Sequence, residues 1–148
     1  MLIIIKQSII YKMEIQINKT KKLKSIQEEF QSYFPYLKIE FYTNAHSSGE
    51  GSLKKNTLDS DLTIGDVQKH EFLDAIKIDE LTKVSDIENA FEKNLGLPAQ
   101  VFRKSGNLWL QTTTTDNWTL AEQNKIAAEK YEVNDEAMPD PMDRQELE

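Results

Sequence analysis

The sequence predicts an α+β domain in which two βαβ units form an antiparallel sheet with two helices on one face. The first observation is an internal repeat: a shift of 61 positions brings residues 14–34 onto residues 75–95 with their apolar positions aligned. The second is that each copy opens with an alternating segment and continues with a helical apolar stripe. A repeat at a fixed offset indicates a supersecondary unit that occurs twice and shares one core.

The first element of each copy is a strand. Residues 14–17 and 75–78 each place two isoleucines on one face and polar or small residues on the other. Alternation with a period of two is typical of a half-buried strand, so both segments are predicted to lie on the core with one face only.

A helix follows each of these strands. Apolar residues recur with spacings of three and four on one stripe, while the other positions are polar. The stripes are Leu23, Ile26, Phe30 and Phe34 in the first copy and Val84, Ile87, Phe91 and Leu95 in the second. Pro35 and Gly96 are C-terminal signals that end these helices. Second strands are expected at residues 37–43 and 99–104.

Two further elements follow the second copy. Ser105 and Gly106 form a two-residue turn signal, which predicts a hairpin with Phe102 opposite Trp109 and an added strand after the turn. A third helix is expected at residues 119–131, because Thr119 and Glu122 have the spacing of a capping box.

The element order defines the fold class that we expect. Copies at residues 14–41 and 75–103 are separated by a connector at residues 44–74 and followed by the added strand and third helix. Two βαβ units with alternating strands favour a ferredoxin-like antiparallel sheet with both helices on one face. The alternative is two separate βαβ hairpins that pack differently. Neither arrangement fixes a function.

The two ends of the chain are predicted to lie outside the single domain of residues 13–131. Residues 1–12 form an N-terminal extension, with Met13 as the natural start or with residues 2–5 as an additional strand. Residues 132–148 carry seven acids and one arginine, a net charge of −6, against −7 for the whole chain. Such a tail buries little apolar surface and is expected to be disordered. The alternative is an acidic docking peptide for a basic partner.

The composition argues against several classes of function. The chain has no cysteine and two histidines, His46 and His70, which show no metal-ligand spacing. We therefore expect no metal, no cofactor and no catalytic residues. The N-terminal apolar run from Leu2 to Ile5 is broken by Lys6, so it is too short to span a membrane or to act as a secretory segment. We expect a cytoplasmic protein without membrane contact.

The candidate binding surface is the sheet face away from the repeat helices. Alternation places Tyr42, Phe102 and Trp109 on that face, together with Lys104. Exposed aromatic surface usually serves a partner or a ligand. The helix at residues 119–131 is the competing explanation, since it could cover the same rings.

A second candidate is the lysine-rich start of the first helix, where Lys21, Lys22 and Lys24 are possible anion contacts. Taken together, the sequence favours a small non-catalytic binding or protein-interaction domain with a protein partner. The first alternative is a nucleic-acid-associated module that uses the aromatic face, although the acidic tail argues against it. The second alternative is an enzyme without a recognisable motif.

Overall fold

The computed structural model describes residues 2–5, 8–11, 13–44, 53–133 and 144–145. Over these residues the fold is α+β, with four α-helices and antiparallel sheets. The strands are β1 (Leu2–Ile5), β2 (Ser8–Tyr11), β3 (Met13–Gln16), β4 (Leu37–Phe41), β5 (Ala75–Ile78), β6 (Ala99–Ser105), β7 (Leu108–Gln111) and β8 (Arg144–Gln145). The helices are α1 (Leu23–Tyr33), α2 (Ile64–Val67), α3 (Val84–Leu95) and α4 (Leu120–Val133).

The strands pair according to their place within each unit. The two first strands, β3 and β5, pair antiparallel with Ile15 opposite Ile76. The two second strands, β4 and β6, pair antiparallel with Ile39 opposite Val101, and β7 extends that sheet beyond β6. In both pairs the opposed residues are those that the repeat aligns, which is the geometry of a local twofold axis.

The predicted ferredoxin-like sheet is not confirmed. That arrangement places the strands of both units in one sheet, whereas β3–β5 and β4–β6–β7 belong to separate sheets here. The sequence pattern does not distinguish the two outcomes, because alternation requires only that each strand bury one face.

The two apolar stripes meet in one core that contains both Phe30 and Phe91, each fully buried. The ring of Phe91 packs edge-on against Phe41, with the centroids 5.0 Å apart. The ring of Phe30 lies 5.6 Å from that of Phe34. Leu108, which lies next to the hairpin turn, is 39% exposed and does not belong to this core.

Each repeat helix begins against the loop that follows its own unit. In the first unit the Leu23 N–H donates to the Leu62 carbonyl at 2.9 Å, and in the second the Val84 N–H donates to the Trp118 carbonyl at 3.0 Å. Matching β-bridges precede both helices: Lys22–Thr63 and Lys83–Thr119. The correspondence between the halves therefore reaches α2 and α4. The repeat offset of 61 does not reveal this correspondence, because the equivalent loop residues Leu62 and Trp118 are separated by 56 positions.

The connector closes one end of β4. The Leu58 N–H donates to the Phe41 carbonyl at 2.8 Å, and the Thr43 N–H donates to the Asn56 carbonyl at 2.9 Å. This segment therefore runs alongside the end of the strand. Residues 45–52 of the connector lie outside the described residues.

Helix α4 packs on the side of β6 that carries Arg103. Its predicted capping box is confirmed, since the Glu122 N–H donates to Thr119 Oγ1 at 3.0 Å and the Thr119 N–H donates to Glu122 Oε1 at 3.3 Å. Arg103 Nη1 donates to Gln123 Oε1 at 2.9 Å. Consecutive strand residues point to opposite faces. The helix therefore contacts the face opposite Phe102.

The predicted hairpin turn at residues 105–106 is wrong by one position. The turn residues are Gly106 and Asn107, and Gly106 has φ of 58°. Two-residue hairpin turns need a positive φ at their first central position, which glycine adopts without strain. Trp109 consequently lies opposite Lys104 and not opposite Phe102. The observed register differs from the predicted one by two residues. Each residue of β7 therefore still lies on the face of the sheet that was predicted for it.

The two ends of the chain contribute short strands. At the N-terminus, β1 and β2 pair with each other in a sheet of their own. Near the C-terminus, β8 pairs with the outer edge of β7. The other residues of the predicted tail after Val133 lie outside the described residues. Across the described part of the chain, every helix is too short or too polar to cross a membrane.

Candidate functional site

The β4–β6 ladder ends in two equivalent backbone contacts. At one end the Lys104 N–H donates to the Tyr36 carbonyl at 2.9 Å, and at the other the Tyr42 N–H donates to the Pro98 carbonyl at 2.9 Å. The offset of 62 that aligns the second strands matches Tyr36 with Pro98 and Tyr42 with Lys104. Tyr42 and Pro98 are buried, whereas Tyr36 and Lys104 are half-buried. One end of the ladder is therefore closed and its counterpart is open.

A cleft of about 390 Å³ lies at the open end. We call it the Trp109 cleft, and its lining residues are Gln31, Pro35, Tyr36, Lys104 and Trp109. Ligand sites of proteins commonly have volumes of about 300–1,000 Å³ and combine aromatic walls with a few polar groups. The two aromatic rings offer flat apolar contact, and the ammonium group adds a positive charge.

Two lysines flank the half-buried ring of Trp109. Lys104 Nζ lies 5.0 Å from the ring centroid and Lys38 Nζ lies 5.2 Å from it. Both distances are within the range in which a cation is attracted to an aromatic face, about 6 Å. Lys38 Nζ also lies 3.7 Å from Glu40 Oε1. Two ammonium groups therefore lie close to the ring, and that of Lys38 has a carboxylate partner.

The four predicted surface residues divide into two pairs. Lys104 and Trp109 lie together in the cleft. Phe102 and Tyr42 are 0% and 1% exposed, so their rings offer no surface to a partner. Phe102 lies 4.9 Å from the ammonium of Lys38, and Tyr42 belongs to the closed end of the ladder.

The three lysines predicted as anion contacts have separate surroundings. Lys21 forms an ion pair with Glu29. Lys22 Nζ lies 4.0 Å from Asp61, and Lys24 is exposed. The backbone N–H groups of Leu23 and Lys24 donate to carbonyls of the connector at 2.9 Å each. The donors that a helix N-terminus would offer to an anion are therefore already in use.

The sequence analysis missed a buried carboxyl group, Glu88 on α3. Glu88 Oε2 accepts hydrogen bonds from the Val101 N–H at 2.8 Å and from Gln100 Nε2 at 3.2 Å. Burial raises the pKa of Glu88 to about 8; the Val101 hydrogen bond opposes this shift, and the charges of Asp116 and Glu92 add to it. The side chain therefore keeps its proton at neutral pH and acts as a neutral acid inside the fold.

The sequence analysis also missed the buried cation Arg103, which is 1% exposed. Besides its bond to Gln123, its guanidinium lies 5.9 Å from the ring of Trp118. Gln123 Nε2 in turn donates to the Thr115 carbonyl at 2.8 Å. The sequence did contain a signal for this burial, because the alternation of β6 places Arg103 on the same face as Val101. This network anchors α4 and does not line the cleft.

The described residues contain no group of three or more histidine, aspartate or glutamate side chains placed to hold a metal ion. His70 is exposed, and His46 lies outside the described residues.

Comparison with protein-family models, with curated proteins and with solved structures found no match.

Proposed function

We propose that this protein is a small non-catalytic binding domain that holds a partner protein in the Trp109 cleft. The observation that carries the proposal is the half-exposed ring of Trp109, which the ammonium groups of Lys38 and Lys104 approach, at the open end of a ladder whose equivalent end is closed. Tryptophan is enriched among the residues that dominate interface energetics. A ring already positioned by its neighbours loses little conformational entropy when a partner binds.

The cleft chemistry favours binding over catalysis. Its lining includes one amine and one phenol, with neither a carboxylate nor an imidazole among the lining residues. General acid–base or nucleophilic catalysis needs converging groups of matched pKa within hydrogen-bond reach. Glu88, whose pKa is strongly raised, lies against Val101 and outside this lining.

A second candidate function is binding of single-stranded nucleic acid. A tryptophan flanked by lysines could stack a base while the ammonium groups contact phosphates. The charge of the chain favours the protein partner, because the net charge is −7 and Lys38 is paired with Glu40. Nucleic-acid affinity depends mainly on the number of phosphates that cations neutralise.

The two functions are tested by affinity capture from cell extract with four forms of the full chain. These are the unaltered protein, Trp109→Ala and Lys104→Glu, with Lys55→Glu as a charge-matched control. Lys55 is exposed and lies in the connector that closes the opposite end of β4. We expect a defined protein to be retained by the unaltered chain and by Lys55→Glu, and to be lost with both cleft variants.

Nuclease treatment separates the alternatives. Retention of the partner after nuclease digestion supports direct protein binding. Loss of all captured material on digestion favours the nucleic-acid function. Equal capture by Trp109→Ala and the unaltered chain contradicts both, because both assign the contact to this ring.

We also infer that the two halves arose by duplication of a β-α-β-turn-helix unit. The matched hydrogen bonds at the starts of α1 and α3 support this origin. After the duplication, the end of the β4–β6 ladder at Tyr42 and Pro98 remained closely packed. The equivalent end acquired Tyr36, Lys104 and Trp109 and became a cleft.

A further inference from the structure

The outer edge of β7 accepts an additional strand. The backbone of β8 pairs antiparallel with it, with Gln145 opposite Leu110 and Arg144 opposite Gln111. Addition of an extended segment to a sheet edge is a general mode of peptide recognition, in which main-chain hydrogen bonds give affinity and side-chain contacts give specificity.

The register of this edge leads an added strand onto the Trp109 cleft. Trp109 shares its face of the sheet with Lys104, which lies directly opposite on β6. An added strand runs antiparallel to β7. The residue that follows the one opposite Leu110 therefore lies opposite Trp109. Directly opposed residues in antiparallel strands carry their side chains on the same face, with Cβ atoms roughly 4.5–5.5 Å apart. The next residue of an added strand therefore lies beside the ring of Trp109, which the ammonium groups of Lys38 and Lys104 approach.

The charge on this face selects the kind of strand. Lys104 and Lys38 both approach the Trp109 ring. The segment of this chain that supplies β8, residues 132–148, carries seven acids and one arginine. An acidic strand thus matches the positive face, because complementary charges favour one kind of partner over another.

We propose that the β7 edge and the Trp109 cleft together form the docking site for an extended acidic segment of the partner protein. The segment adds as a strand beside β7 and sets a carboxylate against Lys104. In this chain β8 occupies the same edge, so a partner segment competes with it. This inference rests on the proposed function, since it specifies the chemistry of the partner.

The test uses the full chain with Arg144→Pro and Gln145→Pro, because proline removes the backbone N–H that a paired strand donates. The probe is a fluorescent synthetic peptide with the sequence of residues 139–148, PDPMDRQELE, and the readout is anisotropy. We expect the peptide to bind the double-proline chain at least tenfold more tightly than the unaltered chain. Adding Lys104→Glu should weaken binding at least tenfold, whereas adding Lys55→Glu should not.

A charge exchange makes the test specific. A peptide carrying Glu146→Lys should bind the Lys104→Glu chain more tightly than the original peptide does. Equal affinity for the chains with and without Lys104→Glu would overturn the proposal, and so would no binding to the double-proline chain. If capture of a protein still depends on Trp109 while the peptide fails, the proposed function stands and this inference falls. Displacement of the peptide by a ten-residue oligothymidine at equal concentration would also overturn it.

Discussion

Gln27 and Glu88 occupy equivalent positions on α1 and α3, and each hydrogen-bonds the backbone of the β4–β6 pair. Gln27 Nε2 donates to the Ile39 carbonyl at 2.9 Å, and Glu88 Oε2 accepts from the Val101 N–H at 2.8 Å. Ile39 and Val101 are themselves directly opposed. Each helix is therefore hydrogen-bonded to the centre of the ladder, α1 through an amide and α3 through a carboxyl group.

The carboxyl group makes stability depend on pH. Burial raises the pKa of folded Glu88 to about 8, against 4.5 for the ordinary side chain. Between these values the folded state keeps a proton that the unfolded state releases, so the free energy of unfolding falls as pH rises and levels off above about pH 8. Urea unfolding between pH 6 and pH 9 should show this fall.

Glu88→Gln should remove most of that dependence and leave the protein more stable than the unaltered chain at pH 8.5. The amide keeps an acceptor for the Val101 N–H, and the equivalent Gln27 shows that an amide fits such a position. Gln27→Glu is the matched control, and should destabilise the fold at neutral pH because it brings a carboxylate against Glu40 and a carbonyl. A pH profile unchanged by Glu88→Gln would refute this account of the side chain.

Phe91→Ala should lower the free energy of unfolding by about 3–5 kcal/mol, because it leaves a large cavity in the core. The same result is expected for Phe30→Ala, since both rings are fully buried in one cluster. Chemical denaturation measures the change. Lys93→Ala, on the exposed face of α3, is the control and should stay within about 0.5 kcal/mol. Midpoints that barely move in the phenylalanine variants would mean that neither ring is buried.

Gln123→Ala should destabilise the protein by about 1–3 kcal/mol, because it removes hydrogen bonds from buried polar groups. The groups affected are Arg103 Nη1 and the Thr115 carbonyl. Hydrogen exchange should increase in α4 more than in α1, which tests the anchoring role directly. Lys125→Ala, on the exposed side of α4, should change neither quantity. Uniform exchange across both helices would contradict the assignment.

Much of the fold follows from local pattern. The isoleucines of β3 and β5 and the stripe of Val84, Ile87 and Phe91 could be assigned because burial of one face imposes a period on the sequence. The pairing of strands could not be assigned in this way. Alternation indicates which face of a strand is buried, but it carries no information on which strand lies next to it. The predicted hairpin register was wrong for a local reason. Gly106 occupies the first turn position, which requires its positive φ.

The candidate site was partly accessible to sequence reasoning. Alternation assigned Trp109 and Lys104 to one face, and the structure joins them in the cleft. The burial of Phe102 and Tyr42 depends on contacts between distant segments, which no local pattern encodes. Glu88 could have been found from its alignment with Gln27, but its pKa depends on desolvation by the completed fold.

Trp109→Ala should weaken the partner while the fold persists. The ring is half-buried, so we expect its removal to lower the free energy of unfolding by about 1–2 kcal/mol, well below the cost of a core aromatic. Binding should fall by more than tenfold, as is usual for a central aromatic contact. Trp109→Phe, which keeps a ring, should retain more affinity than Trp109→Ala. Equal losses in the two variants would argue against a ring contact.

Site-specific photo-crosslinking tests the central claim most directly, namely that the Trp109 cleft contacts a partner. A photoreactive residue replaces Gln31, which is exposed and lines the cleft, and in a second protein it replaces Lys55 at the far end of β4. The account predicts one protein cross-linked from position 31, absent from position 55 and lost when Trp109→Ala is added. The same cross-links from both positions, or cross-links from position 31 that persist with Trp109→Ala, would contradict it.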